Sequence, residues 1–103
     1  MRRVVLLLVS TAALGWGQYD FLIRNGRVVD GAGNPWFRAD VGIRGDTVAA
    51  VGSLPGATAP RTIDAGGRVV APGFIDIHTH SRRGIFEVPT AENYIRQGVT
   101  TLI

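Results

Sequence analysis

The sequence contains neither cysteine nor lysine. Without cysteine there is no disulfide framework, and thiols carry no information about redox compartment. All 11 basic residues are therefore arginine, set against 8 acidic residues for a formal charge of +3. Arg2 and Arg3 belong to a distinct N-terminal segment, and the remainder of the chain is near neutral. No cluster of arginines is interleaved with aromatic residues, which argues against a nucleic-acid surface. No apolar run is long enough to cross a bilayer as a stable helix. Gly31 and Gly33 are followed by no helical pattern, so they read as turn residues and not as a phosphate loop.

What is present begins with a short positive start, Met1-Arg2-Arg3, followed by a mostly apolar stretch over residues 4–14. Gly15-Trp16-Gly17 then places small residues at alternate positions. This is the layout of a secretory signal peptide. The expectation is that residues 1–17 are a leader removed after Gly17 or after Gly15, and that the protein is exported to the periplasm or secreted. No cysteine follows the apolar stretch, which argues against a lipid anchor, and no stable membrane span is expected after cleavage. The competing reading is a buried N-terminal strand or helix.

From Tyr19 the pattern becomes β. Phe21-Leu22-Ile23 and Arg27-Val28-Val29 flank Asn25-Gly26, a pairing that predicts a tight hairpin. Residues 31–35 form a turn-rich loop, and Trp36 reads as a packing anchor at the start of the next strand. Residues 37–43 alternate as a half-buried strand should. Arg44-Gly45-Asp46 predicts a second turn, and residues 47–51 a returning strand. After a linker-like loop over residues 53–60, short strands are expected at 61–64 and 68–71 around Ala65-Gly66-Gly67. Together, residues 18–71 read as short antiparallel strands forming one sheet of a partial β-sandwich.

Residues 72–103 read differently. Pro72-Gly73-Phe74-Ile75-Asp76-Ile77-His78-Thr79-His80 is an apolar run that ends in two histidines one residue apart. In a β-strand, residues i and i+2 share a face. His78 and His80 would then present two imidazoles to one ion, a donor pair suited to Zn²⁺ or a similar divalent metal. Ile75, Ile77 and Thr79 would face the opposite way, towards covering helices. Two histidines alone can also be ordinary strand residues, and a catalytic zinc usually takes about three protein ligands plus water. Asp76 has the same strand parity. It reads either as a partner orienting an imidazole or as a carboxylate bonded to backbone or another strand. Residues 81–89 read as a loop in which Arg82-Arg83 is solvated. Ser81 has no base and orienting group to make it a nucleophile. Thr90 is the expected cap of a short helix over 91–97, with Tyr94 and Ile95 packing inward and Gly98 just past its end. The apolar, β-branched run at residues 99–103 reads as a buried strand. Strand, helix and second strand would make one βαβ unit.

The stretch from Pro72 to His80 resembles the first barrel strand of the amidohydrolase superfamily, whose signature is PGFID-x-H-x-H. The resemblance extends over residues 19–103, and within the superfamily it is nearest to the N-acyl-D-amino-acid deacylases (D-aminoacylases), especially in Asp30-Gly31-Ala32-Gly33-Asn34-Pro35-Trp36. It implies a β-rich first domain followed from residue 72 by a TIM-type (β/α)₈ metallo-hydrolase barrel. It also implies metal ligation by His78 and His80, a small-molecule amide substrate, and hydrolysis of carbon–nitrogen bonds other than peptide bonds. The further histidine ligands, the bridging lysine or cysteine, and the catalytic aspartate of such enzymes have no counterpart in residues 1–103. One departure stands out. Relatives of the deacylase type often carry an acidic residue shortly after the second histidine, where this chain has Ser81-Arg82-Arg83.

A complete barrel of this type needs about 250 residues, against 103 here. The expectation is therefore the front part of a longer, exported enzyme. Two alternatives remain open. One is a dihydroorotase-like cyclic-amide hydrolase. The other, of a different class, is a β-rich binding or structural module in which the His-x-His is incidental.

Overall fold

The computed structural model describes residues 18–103. The expected leader, residues 1–17, lies outside the described residues. The described chain divides into two compact units, residues 18–26 with 38–68, and residues 27–37 with 69–103. Residues 27–37 and 69–71 thus group with the histidine-bearing segment.

In the first unit the strands are β1 (Phe21–Val28), β2 (Phe37–Arg44), β3 (Thr47–Gly52) and β4 (Arg61–Asp64), laid side by side in the order β3-β2-β1-β4. The β2–β3 pair is an antiparallel hairpin around Gly45-Asp46, as the turn residues predict. Its core is small. Leu22 is 1% exposed, and Tyr19, Ala39, Val41 and Ala65 are buried with it. Val48, Val51 and Ile63 remain exposed.

The hairpin expected at Asn25-Gly26 does not form. Asn25 does adopt the left-handed conformation such a turn requires, with φ 57°, but β1 continues past it. The reason lies in what satisfies the kink. The Asn25 backbone N–H donates to Asp40 Oδ1 at 2.9 Å, its Nδ2 donates to Asp64 Oδ1 at 3.0 Å, and its carbonyl accepts from Gly67 N at 2.8 Å. Partners distant in sequence hold the bend, so no reversal is needed. The antiparallel expectation also fails for β4, which pairs with β1 in parallel from Phe21↔Arg61 to Arg24↔Asp64.

A polar junction closes this unit. Arg24 Nη1 lies 3.4 Å from Asp40 Oδ2 and donates to the Leu54 carbonyl at 3.0 Å, while Nη2 donates to the Ala57 carbonyl at 2.7 Å. Asp40 Oδ2 also accepts from Leu54 N at 3.2 Å. These bonds tie down residues 54–57.

In the second unit the end of β1 pairs in parallel with β5 (Val69–Val70), through Arg27↔Val69 and Val28↔Val70. The Arg27 guanidinium sits 5.6 Å over the Trp36 ring. Trp36 is otherwise half exposed, so it is a platform for Arg27 and not the packing anchor expected of it. β6 (Phe74–Asp76) and β7 (Val99–Leu102) form a parallel pair. Between them come α1 (Gly84–Glu87) and α2 (Glu92–Ile95), one turn each. α1 replaces part of the expected 81–89 loop, and α2 is shorter than the expected 91–97 helix.

Thr90 does not cap α2. The cap position is Ala91, in the left-handed conformation at φ 45°, with no side-chain bond to the helix. Its carbonyl accepts from both Tyr94 N and Ile95 N, which secures the first turn without a hydroxyl. The helix stop is as expected. Gly98 takes φ +81°, a conformation glycine adopts without Cβ strain, and donates to the Ile95 carbonyl. Tyr94 is partly covered, but Ile95 is exposed, as are Ile75 and Ile77. Within the described residues no layer covers them, so the inward packing expected for these positions is not formed.

Candidate metal site

β6 positions the histidines by its backbone. Gly73 lies against Thr100 so closely that a Cβ there would collide with the Thr100 side chain. Only glycine allows the two strands to approach at this point. Phe74 N donates to the Gly98 carbonyl, and Ile103 N donates to the Asp76 carbonyl at 3.0 Å. The pairing continues beyond the strand, since Thr79 N and Thr79 Oγ1 both donate to the Ile103 carbonyl, at 3.4 and 3.3 Å. The end of β7 therefore anchors the segment that carries the histidines.

The strand itself stops at Asp76, the chain bends at residues 77 and 78, and residues 79 and 80 are irregular. This corrects the expectation of a regular strand through His80, and with it the alternation argument for a shared face. The physical cause is Asp76. Its Oδ1 accepts from the His78 backbone N–H at 3.1 Å, so a side chain takes the donor that a continuing ladder would use. The carboxylate meets the backbone of His78, and no bond to either imidazole is formed.

The bend nevertheless brings the two imidazoles together. Their ring centroids are 5.1 Å apart and the ring planes are nearly perpendicular, at 83°. Two imidazoles bound at about 2.1 Å to one tetrahedral ion have ring centroids roughly 5 Å apart. The spacing matches that value, and both rings are exposed to solvent. Among the described residues no third histidine, cysteine, aspartate or glutamate joins them in a group able to hold a metal.

An open depression beside the pair is lined by Thr79, His80, Arg82 and Arg83. Thr79 Oγ1 and Ser81 Oγ lie 3.0 Å apart, so Ser81 is a bonded loop residue. The sequence reading placed Arg82 and Arg83 in solvent without linking them to His80. The signal that pointed to them was their departure from an acidic pattern.

Comparison with known proteins follows this geometry. A profile described as the amidohydrolase family matches residues 61–103. The N-acyl-D-glutamate deacylase of Alcaligenes xylosoxydans xylosoxydans is 51% identical over 84 residues, which is 82% of this chain and 17% of that protein. The crystal structure of a D-aminoacylase superposes with a TM-score of 0.77 at 46% identity, over 82% of this chain and 18% of that one. The N-acyl-D-glutamate deacylase from Bordetella bronchiseptica, solved with zinc and a phosphonate mimic of the tetrahedral intermediate, gives 0.76 at 43% identity over the same shares, 82% and 18%. The chain spans less than a fifth of the length of these relatives. It is β-rich in the manner of their N-terminal region, and on the profile match and these identities it resembles the amidohydrolase family over that region.

Proposed function

We propose that this chain carries the first metal-binding segment of a divalent-metal amidohydrolase acting on N-acyl-D-amino acids. The observation that carries the reading is the His78–His80 pair, set at 5.1 Å between ring centroids where β6 ends. Relatives named for that activity, one of them solved with zinc, support it.

His78 and His80 would hold the ion through neutral imidazole nitrogens. When bound, such an ion lowers the pKa of its water and polarises the scissile carbonyl. The chain's own contribution is positional. Asp76 fixes the bend through the His78 N–H, and Ile103 fixes Asp76 and Thr79, so the two rings are presented without depending on long flexible loops. No residue described here is assigned as general base.

The same reading takes β6, the helical segment and β7 as the first βαβ unit of a (β/α)₈ barrel with its chemistry on the C-terminal strand ends. It takes residues 18–71 as part of a β-sandwich and residues 1–17 as an export signal. The test is turnover of N-acyl-D-amino acids by the protein that carries this chain, with metal content measured on the same samples. His78→Ala and His80→Ala are each expected to lower activity or zinc occupancy at least about tenfold, the scale on which even outer-sphere ligand changes act. Wild-type turnover and metal content in both variants would refute the assignment.

A further inference from the structure

Asn25-Gly26 has the residue types of a tight turn but makes no reversal, because β1 continues past it. The same pair has a second chemistry. The backbone nitrogen of the residue after an asparagine can attack the side-chain amide carbon, and glycine, with no Cβ, leaves that approach open. Of the three asparagines, only Asn25 precedes glycine. Asn34 precedes Pro35, which has no N–H, and Asn93 precedes the bulky Tyr94. The Asn25 side chain is also exposed to water.

The fold adds a restraint on the leaving group. Asn25 Nδ2 donates to Asp64 Oδ1 at 3.0 Å, and the same oxygen accepts from Gly66 N at 2.9 Å, so the acceptor is itself fixed. The backbone is tied on both sides of the side chain, by Asn25 N to Asp40 Oδ1 and by Gly67 N to the Asn25 carbonyl. These bonds limit the rotation that brings Gly26 N onto Asn25 Cγ.

We propose that Asn25-Gly26 is a deamidation site that the Asp64 hydrogen bond keeps latent, and that its conversion loosens the end of β4 from β1. First a bond forms between Gly26 N and Asn25 Cγ and the Cγ–Nδ2 bond breaks. The Gly26 amide proton leaves with Nδ2 as ammonia. Water then opens the cyclic imide at either carbonyl, giving aspartate or, with the chain rerouted through the side chain, isoaspartate. The sum is one water consumed and one ammonia released. A donor facing Asp64 becomes a carboxylate facing a carboxylate, and attraction at 3.0 Å turns to repulsion. Asp64 is the last residue of β4 and pairs with Arg24, next to the site. Isoaspartate also lengthens the β1 backbone by a methylene, which displaces the carbonyl that Gly67 N meets. The inference needs neither the metal pair nor the amidohydrolase reading.

The experiment follows conversion at the three asparagines by peptide mapping and mass spectrometry, in the protein that carries this chain, at mildly alkaline pH. The same protein unfolded in guanidinium chloride is the reference. Unfolded, Asn25 is expected to convert faster than Asn34 and Asn93. In the native protein its conversion should slow at least about tenfold, since several bonds restrain closure and each carries a factor of roughly two to ten. Asp64→Ala should raise the native rate about threefold, the low end of that range because the bond is exposed. Asp64→Asn, which keeps Oδ1, should stay near the wild-type rate. Amide exchange at Leu22 reports whether the strand remains folded. Asn25→Asp reproduces the aspartate product. Exchange at Ala65 and Gly67, whose N–H groups donate to the Arg24 and Asn25 carbonyls, should be faster in it than in Asn25→Gly, which loses the Asp64 bond without adding charge. Equal native and unfolded rates would overturn the proposal. So would an Asp64→Ala rate no higher than wild type, or equal exchange in Asn25→Asp and Asn25→Gly. If Asp64→Ala also loses protection at Leu22, the native-against-unfolded and Asn25→Asp comparisons decide, since neither uses that variant.

Discussion

Replacing Asp40 by alanine tests the junction that locks the first unit. The carboxylate serves three donors: Asn25 N at 2.9 Å, Leu54 N at 3.2 Å and Arg24 Nη1 at 3.4 Å. In Asp40→Ala the partly buried Leu54 N–H and the exposed Asn25 N–H lose their acceptor, at a cost of about 1 kcal/mol each. The ion pair adds less. Its distance is long, and the Arg24 and Asp40 side chains are 27% and 15% exposed, so screening leaves about 0.5 kcal/mol. Arg24 keeps its carbonyl partners Leu54 and Ala57 and does not become an unpaired charge. The expected loss is therefore roughly 2–3 kcal/mol. Asp40→Asn, which keeps one acceptor oxygen, should lose about half of that. The assay is denaturant unfolding of the protein that carries this chain, combined with amide hydrogen exchange. Exchange at Asn25 and Leu54 should accelerate more than at Leu22. A loss below about 0.5 kcal/mol, with exchange at those two amides unchanged, would refute the claim that Asp40 holds the kink and the loop.

Three further outcomes are expected. Hydrogen bonds from Asn25 Nδ2 and the Gly66 N–H hold the Asp64 carboxyl below its ordinary 3.8. Its contribution to stability is thus full above that value and is lost as pH falls through the lowered folded-state value. A carboxyl NMR titration should show Asp64 rising towards its ordinary value in Asn25→Ala, and an unmoved titration would count against the bond. A polypeptide of residues 18–103 made alone should show no amide hydrolysis with added zinc, because two exposed imidazoles hold an ion weakly. Its exposed apolar side chains should also make it aggregate or unfold without a sharp transition. Zinc-dependent turnover well above a His78→Ala control, or cooperative unfolding of a monomer, would contradict both expectations. For export, N-terminal sequencing of the extracytoplasmic protein should begin near Gln18, and a soluble cytoplasmic product retaining Met1 would exclude it.

The features legible in the sequence were those decided by neighbours. The β2–β3 turn rests on Gly45 and Asp46, and the end of α2 rests on Gly98 just past the helix it terminates. What could not be read were the places where distant residues override a local preference. Asn25 reads as a hairpin because the left-handed conformation is a hairpin signal, yet Asp40, Asp64 and Gly67 turn the same conformation into a kink within one strand. The parallel pairing of β4 and β5 with β1 is non-local in the same way. At the candidate site the two histidines were legible as a pair, but the reason they meet was not. Strand alternation predicted a shared face, and an Asp76 bend produces the juxtaposition. Residues 82 and 83 were visible only as an anomaly, because a charge run carries no information about the concavity it will line.

The contact of Gly73 with Thr100 and the bonds from Ile103 back to Asp76 and Thr79 separate two duties along one short stretch of chain. The imidazoles take their positions from the β6–β7 seam. Residues 82–97 leave that seam and return to it without setting its register. Insertions or substitutions in this excursion can therefore reshape what approaches the site while the two rings hold their spacing. Changes at Gly73 or Thr100 cannot be so confined. For an engineer altering substrate preference, the excursion is the editable part and the seam is the part to leave alone.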